Sequence, residues 1–161
     1  MSNQANGQAA EKIIGLTLRE LGVSVNCPVE TGVMLKAIKN AKRGSGHLSS
    51  ALYHVEREYG EFYSSGILAD YALGCDGFFE ANDGSVVSFD VTTDASKEQT
   101  KLGIQRSVAG VRSACGLGRH LVIILSTDKT FQQLSYDQKW EIADAVLEAV
   151  DADELVCYVN I

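Results

Sequence analysis

The stretch GCDGFFEANDGSVVSFDVTTD, residues 74–94, decides how the chain is read. Its centre, Asn82-Asp83-Gly84, is a hairpin signal, because glycine and asparagine tolerate the left-handed backbone that tight turns between strands require. β-Branched and aromatic residues flank it, so residues 76–81 and 85–92 are expected to pair as antiparallel strands. The register of that pairing has a chemical consequence. A two-residue loop of Asp83 and Gly84 sets Asp76 opposite Val91, facing away from Asp90. A three-residue loop of Asn82, Asp83 and Gly84 sets Asp76 directly across from Asp90. In the second register two carboxylates share one face of the sheet, with Cβ atoms about 4.5–5.5 Å apart. Opposed like charges destabilise a sheet, and a bridging Mg²⁺ removes the penalty. The alternative is that both aspartates are a polar fringe solvated at strand ends.

Outward from the hairpin the periodicity is mostly helical. Residues 9–21 carry Ile14, Leu18 and Leu21 at helical spacing before Gly22, after a lead-in of about fifteen residues that reads as frayed. Residues 30–41 form a second helix, with Met34, Ile38 and Ala41 on one side and Lys36, Lys39, Lys42 and Arg43 on the other, before the break at RGSG, 43–46. A third helix is expected from Ser49, with the stripe Leu52, Val55, Tyr59 and Phe62; Glu56 falls on its apolar side, where a carboxylate needs a partner. GILADYAL, 66–73, reads as a strand. Ser96 and Gln99 form a capping box that opens a helix ending near Gly116 or Gly118. HLVIILS, 120–126, is a strand buried on both faces, Ser135 and Gln138 cap another helix, and ELVCYVNI supplies a last strand.

Along the helix after the hairpin, Lys97, Lys101, Ile104, Val108, Val111 and Cys115 fall on one stripe at steps of four and three. The two lysines thus extend the apolar face toward the hairpin, where an acidic partner would explain them, and Gln105 is one turn further on.

These elements predict a single α/β domain with a mixed sheet flanked by helices: an N-terminal helical segment (1–48), a core of order αβββαβ (49–126) and a C-terminal helix and strand (127–161). The chain has 161 residues, enough for one core without staples, and Cys27, Cys75, Cys115 and Cys157 form no CxxC pair, so a reduced, cytoplasmic protein is expected. No apolar run reaches a membrane-spanning length. The net charge of −7 counts against a surface built for nonspecific nucleic-acid binding, although a carboxylate-built metal site itself adds negative charge. His47, His54 and His120 are scattered with no second ligand at metal spacing, and Trp140 is expected in the core.

A helix bearing a glutamate, a hairpin with an aspartate opening its first strand and another acidic residue closing its second, then a helix and a buried strand: residues 49–126 resemble the PD-(D/E)xK nuclease superfamily, the restriction-endonuclease-like fold. The resemblance implies that Asp76 in GCDG is the motif's first aspartate, Asp90 in FDVT its second acidic residue, and Glu56 the helical glutamate. It implies hydrolysis of a phosphodiester in nucleic acid, DNA foremost, with Mg²⁺ or Mn²⁺ held by Asp76, Asp90 and the Val91 carbonyl, Glu56 assisting, and a homodimer where both strands are cut. The sequence departs from the pattern twice. Cys75 stands where the motif has proline, and Thr92 stands where it has lysine. Lys101 or Lys97, from the following helix, is placed to supply the missing amine. Two other readings stay open: a non-enzymatic interaction or scaffold protein on a nuclease-like fold that has lost catalysis, and a small-molecule enzyme using the same acidic pair.

Overall fold

Two strands on either side of the glycine turn form the centre of the molecule: β2 (Gly77–Glu80) and β3 (Val86–Thr92) pair antiparallel. The structure, a computed structural model, describes residues 3–42 and 45–161. Observed pairs run from Glu80 opposite Val86 to Gly77 opposite Phe89, which is the three-residue register. The Ala81 N–H donates to the Ser85 carbonyl at 2.8 Å, and Gly84 takes φ 85°, a left-handed conformation that costs glycine nothing. β4 (His120–Ser126) lies parallel to β3 and β5 (Val156–Asn160) parallel to β4, while the short β1 (Ser24–Val25) pairs antiparallel with β2. The sheet is therefore mixed and five-stranded, in the order β1-β2-β3-β4-β5.

Helices cover both faces. α1 (Asn3–Glu20) and α6 (Tyr136–Asp151) bury Ile14, Leu18, Ile142 and Val146 against Phe79 and Phe89. α2 (Thr31–Ala41), α3 (Gly46–Tyr59), α4 (Ser65–Leu73) and α5 (Glu98–Ala114) close the other face around Met34, Leu52, Leu68, Phe78 and Val108. Each large apolar side chain fully removed from water contributes about 1.5–3 kcal/mol, so these two layers carry the fold. The α/β class, the mixed sheet and the strand at HLVIILS, with Leu121–Leu125 buried, agree with the sequence reading. The αβββαβ order over 49–126 does not hold as drawn.

GILADYAL is the main correction. Residues 65–73 form α4, not a strand: Ser64 accepts the Ile67 N–H at 3.3 Å as an N-cap, and Gly74, at φ 62°, ends the helix with its N–H on the Asp70 carbonyl. Leu68, Ala69, Ala72 and Leu73 are fully buried at a helical spacing, which a short apolar run does not distinguish from a buried strand. The third antiparallel strand is β1, from the segment expected to be only helical. α1 starts at Asn3, six residues before the helix expected over 9–21 and within the lead-in expected to fray, and Ile14 and Leu18 are buried on its stripe as expected, joined by Ala10 and Ile13. α3 begins at Gly46, capped by Ser45, and Phe62 lies beyond its end, 92% exposed. Trp140 is partly exposed rather than core. Lys36, Lys39 and Lys42 form a solvated face of α2 and its end; Arg43 lies outside the described residues.

Gly74 joins α4 to the hairpin, and a Cβ there would stand 3.1 Å from the Gln105 Nε2 as well as in a left-handed backbone. Gly74→Ala is expected to cost about 1–2 kcal/mol, read as a lowered urea midpoint with unchanged far-UV dichroism.

Candidate active site at the carboxyl end of β3

Because Gly77 pairs with Phe89, Asp76 comes level with Asp90 at the point where β3 ends and β2 begins. The chain is fixed there on both sides of its carboxylate. The Asp76 N–H donates to the Phe89 carbonyl at 2.8 Å, and Asp76 Oδ2 accepts the Val91 N–H at 2.8 Å. A side-chain oxygen thus takes the place of the next ladder carbonyl. Gly77 is required beside it, since a Cβ would meet the Phe89 ring at 2.6 Å.

Asp90 points to the opposite face of β3 from Phe89 and Val91, toward α5, and is only 4% exposed. Both of its oxygens are occupied: Oδ2 by the Lys101 ammonium at 2.9 Å and Oδ1 by His120 Nε2 at 2.8 Å. His120 Nδ1 lies 2.8 Å from Ser88 Oγ. Burial pushes the His120 pKa down, so the ring is neutral; Nε2–H then donates to Asp90, and Nδ1 accepts from the serine hydroxyl. Serine, histidine and aspartate in a row suggest an acyl-transfer triad. Ser88 is 0% exposed under α5, however, and no substrate carbonyl can reach it. The row positions Asp90.

More carboxylates gather in front of Asp76. Glu11 from α1 and Asp70 from α4 line the same crevice, of about 540 Å³, together with Gly15, Arg19 and Phe89. Loss of solvent, followed by the negative charges of Glu11, Asp90 and Asp70, raises the Asp76 pKa to about 7, against a lowering by the Val91 N–H. Glu11 and Asp70 are raised as well, first by desolvation, while the nearby Lys101 ammonium pulls both down. Four carboxylates, Glu11, Asp70, Asp76 and Asp90, stand against three cations, Lys12 and Arg19 on the crevice wall and Lys101 on Asp90, which leaves a small excess of negative charge that added positive charge would relieve.

Of the residues expected here, Asp76 lies level with Asp90 and takes the Val91 N–H, and Lys101 pairs with Asp90; Lys101 is not among the groups acting on Asp76. Lys97 does not join them: it is exposed in the 3₁₀ turn 95–97, beside Asp94, and it is Asp94, not Ser96, that caps this turn by accepting the Ser96 N–H at 3.0 Å. The α5 stripe is rotated accordingly, with Gln105, Val108, Val111 and Arg112 buried and Ile104 at 38% exposure. Gln105 gives its amide to the Leu73 carbonyl at 2.8 Å and ties α5 to α4 instead of reaching a carboxylate. Glu56 is exposed on α3, where its charge acts on Tyr63, and is absent from the groups acting on Asp76. Thr92 is buried and accepts the Asp94 N–H at 3.1 Å, bracing the turn into α5.

Sequence reasoning missed three contributors. Glu11 lay in the stretch expected to fray. Asp70 was the single charge in an otherwise apolar run, which is the signal that could have found it. His120 opens the buried strand β4 and looked isolated because its partners, Ser88 and Asp90, stand thirty or more residues away.

Among the described residues, no three His, Cys, Asp or Glu side chains converge closely enough to enclose a metal ion. No family model matches the chain, no curated protein matches it, and no solved structure matches it.

The raised pKa of Asp76 sets a stability slope. Folded Asp76 keeps its proton between about pH 4 and 7, where the unfolded chain has already lost it, so this contribution to stability is present at low pH and is lost as pH rises through about 7. In metal-free buffer the urea midpoint should fall across that window, and Asp76→Asn, which can still accept the Val91 N–H, should flatten the decline. A wild-type protein equally stable at both ends of the window contradicts the assignment.

Proposed function

We propose that the protein is a metal-dependent nuclease of the PD-(D/E)xK type that hydrolyses phosphodiester bonds, DNA being the first substrate to test. The single observation that carries this reading is the ion pair between Lys101 and Asp90, on a strand whose register sets Asp76 level with Asp90. It supports the expectation that α5 supplies the amine that Thr92 does not.

The donor set is chemically suited to Mg²⁺ or Mn²⁺, which take oxygen ligands and are commonly held by one or two carboxylates, with water and substrate oxygens completing the shell. Asp76 and Asp90 with the Val91 carbonyl would hold the metal, and Glu11, in place of Glu56, is the helical carboxylate to assist, since among the carboxylates its charge acts most strongly on Asp76. Bound there, the metal supplies Lewis-acid polarisation of a phosphoryl oxygen and offsets the charge of the cluster. The chain's own groups do the rest. Lys101, anchored on Asp90, presents an ammonium that orients an attacking water and steadies the charge developing on phosphorus. His120 and Ser88 hold the Asp90 rotamer, so that Oδ2 stays turned toward Lys101. Asp76 is held at the strand end by its own N–H on the Phe89 carbonyl and by the Val91 N–H on its carboxylate. Glu11 and Asp70 repel a bare polyanion, which makes cation binding a precondition for substrate binding. A dimer is proposed only for cleavage of both strands.

The competing reading is a non-catalytic interaction protein on the same sheet. It is favoured by the closed state of Asp90, whose two oxygens are already taken by protein donors.

Incubation of the purified protein with single- and double-stranded DNA and with RNA, with Mg²⁺ or Mn²⁺ and with chelator, separates the two. The nuclease reading expects divalent-dependent cleavage that falls about 10²–10³-fold in Asp90→Asn and in Lys101→Met. Glu56→Gln should cleave as wild type, and Glu11→Gln should not. Cleavage indifferent to chelator, or retained in Asp90→Asn, rejects the reading.

A further inference from the structure

At the opposite end of the sheet, a cavity of about 220 Å³ opens beneath α5, where β4 begins and α6 turns into β5. One face of α5, Leu102, Gln105, Arg106, Ala109 and Arg112, forms its roof instead of packing on the sheet. The polar side of this space is cationic: Arg106, Arg112 and Arg119 all line it.

Arg112 is the decisive residue. It is 7% exposed, and among the described residues no carboxylate lies within ion-pair distance of it. Its Nη atoms donate to the carbonyls of Leu117 at 3.1 Å, Gly118 at 3.4 Å and Gln105 at 3.4 Å, which restrain the guanidinium without neutralising it. Its Nε–H is buried with no partner, and so is the Oε1 of Gln105, which lines the same cavity. A buried guanidinium without an anion is costly, and burial accordingly pushes the Arg112 pKa down. Arg119 is held at the rim by loose pairs with Asp83 at 3.7 Å and Asp153 at 3.9 Å, and Arg106 has no ion pair among the described residues. Val87, Leu102, Leu121 and Leu155 form an apolar wall, and His120, Asp153 and Glu154 complete the polar part of the lining.

We infer that this cavity binds a small anion, a phosphate or a carboxylate, with its charged oxygens on Arg112 and Arg106 and any hydrocarbon part against the apolar wall. The site is separate from the carboxylate crevice in position and in charge. Arginine suits it because its fixed fork of donors matches two oxygens of a planar carboxylate or a phosphate. Asp153 and Glu154 at the rim exclude bulky polyanions, so the ligand is small.

Calorimetric titration of the full chain with inorganic phosphate and separately with acetate, at constant ionic strength set by chloride, tests the inference. Saturable binding of either anion, accompanied by a rise in Tm that chloride does not produce, is the expected result, and the stronger of the two names the headgroup. Ala109→Leu, which fills the cavity on a surface that tolerates leucine, and Arg106→Ala should each weaken binding about tenfold or more while leaving the fold intact by circular dichroism. Arg112→Met should abolish binding, but Ala109→Leu keeps the test decisive if that variant fails to fold. Failure of the wild type to bind either anion saturably, or equal binding by Ala109→Leu and Arg106→Ala, overturns the inference and leaves Arg112 as a clamp on the end of α5.

Discussion

One buried carboxylate organises the front of this molecule. Asp90 lies within β3 with almost no access to water, and a charge in that position is tolerated only when paired and hydrogen-bonded on every side. Lys101 and His120 meet that requirement from two different elements, so the distance from α5 to the sheet and the position of β4 beside β3 are both tied to one side chain. Ser88 fixes the histidine in turn, from the same face of β3. Removal of any member would leave a buried polar atom unpartnered, and so the network specifies an arrangement as much as it stabilises one.

The electrostatics divide the molecule into two unlike ends. Carboxylates outnumber cations at the carboxyl end of β3, and burial raises the pKa of Glu11, Asp70 and Asp76, with neighbouring carboxylates adding to the rise at Glu11 and Asp76. At the amino end of β4 the imbalance is reversed, with arginines gathered around a cavity and one of them buried without a counter-charge. α5 bridges the two, contributing Lys101 at one end and Arg112 at the other. A net charge of −7 averages over this polarity and conceals it.

How much of this was legible followed from the range of the interactions. The existence of the hairpin, the strand at 120–126 and the capping box at Ser135 are local, and turn chemistry, an unbroken apolar run and a capping pattern are enough to place them, whereas the hairpin register stayed open between two loops until the observed pairing chose the three-residue one. Asp76, Asp90 and Lys101 were reachable because they sit within one supersecondary unit. α4 was misread because four buried apolar positions in nine residues fit either a strand or a helix, and only the Ser64 cap and the left-handed Gly74 favour the helix. Glu11, Asp70 and His120 belong to the site through tertiary packing alone. Glu56 was chosen for its place on a helix before the hairpin, yet α3 packs on α4 with that side chain turned to solvent.

The insertion of α2, α3 and α4 between β1 and β2 has a consequence for how the chain reaches this arrangement. β1 must meet β2 across three helices, so a large loop-closure entropy is offset by only two residue pairs in the ladder itself. The walls of the carboxylate crevice come from both layers: α1 is rooted in the core on one face of the sheet and α4 in the core on the other, so the crevice lies where the two cores meet at the edge of the sheet.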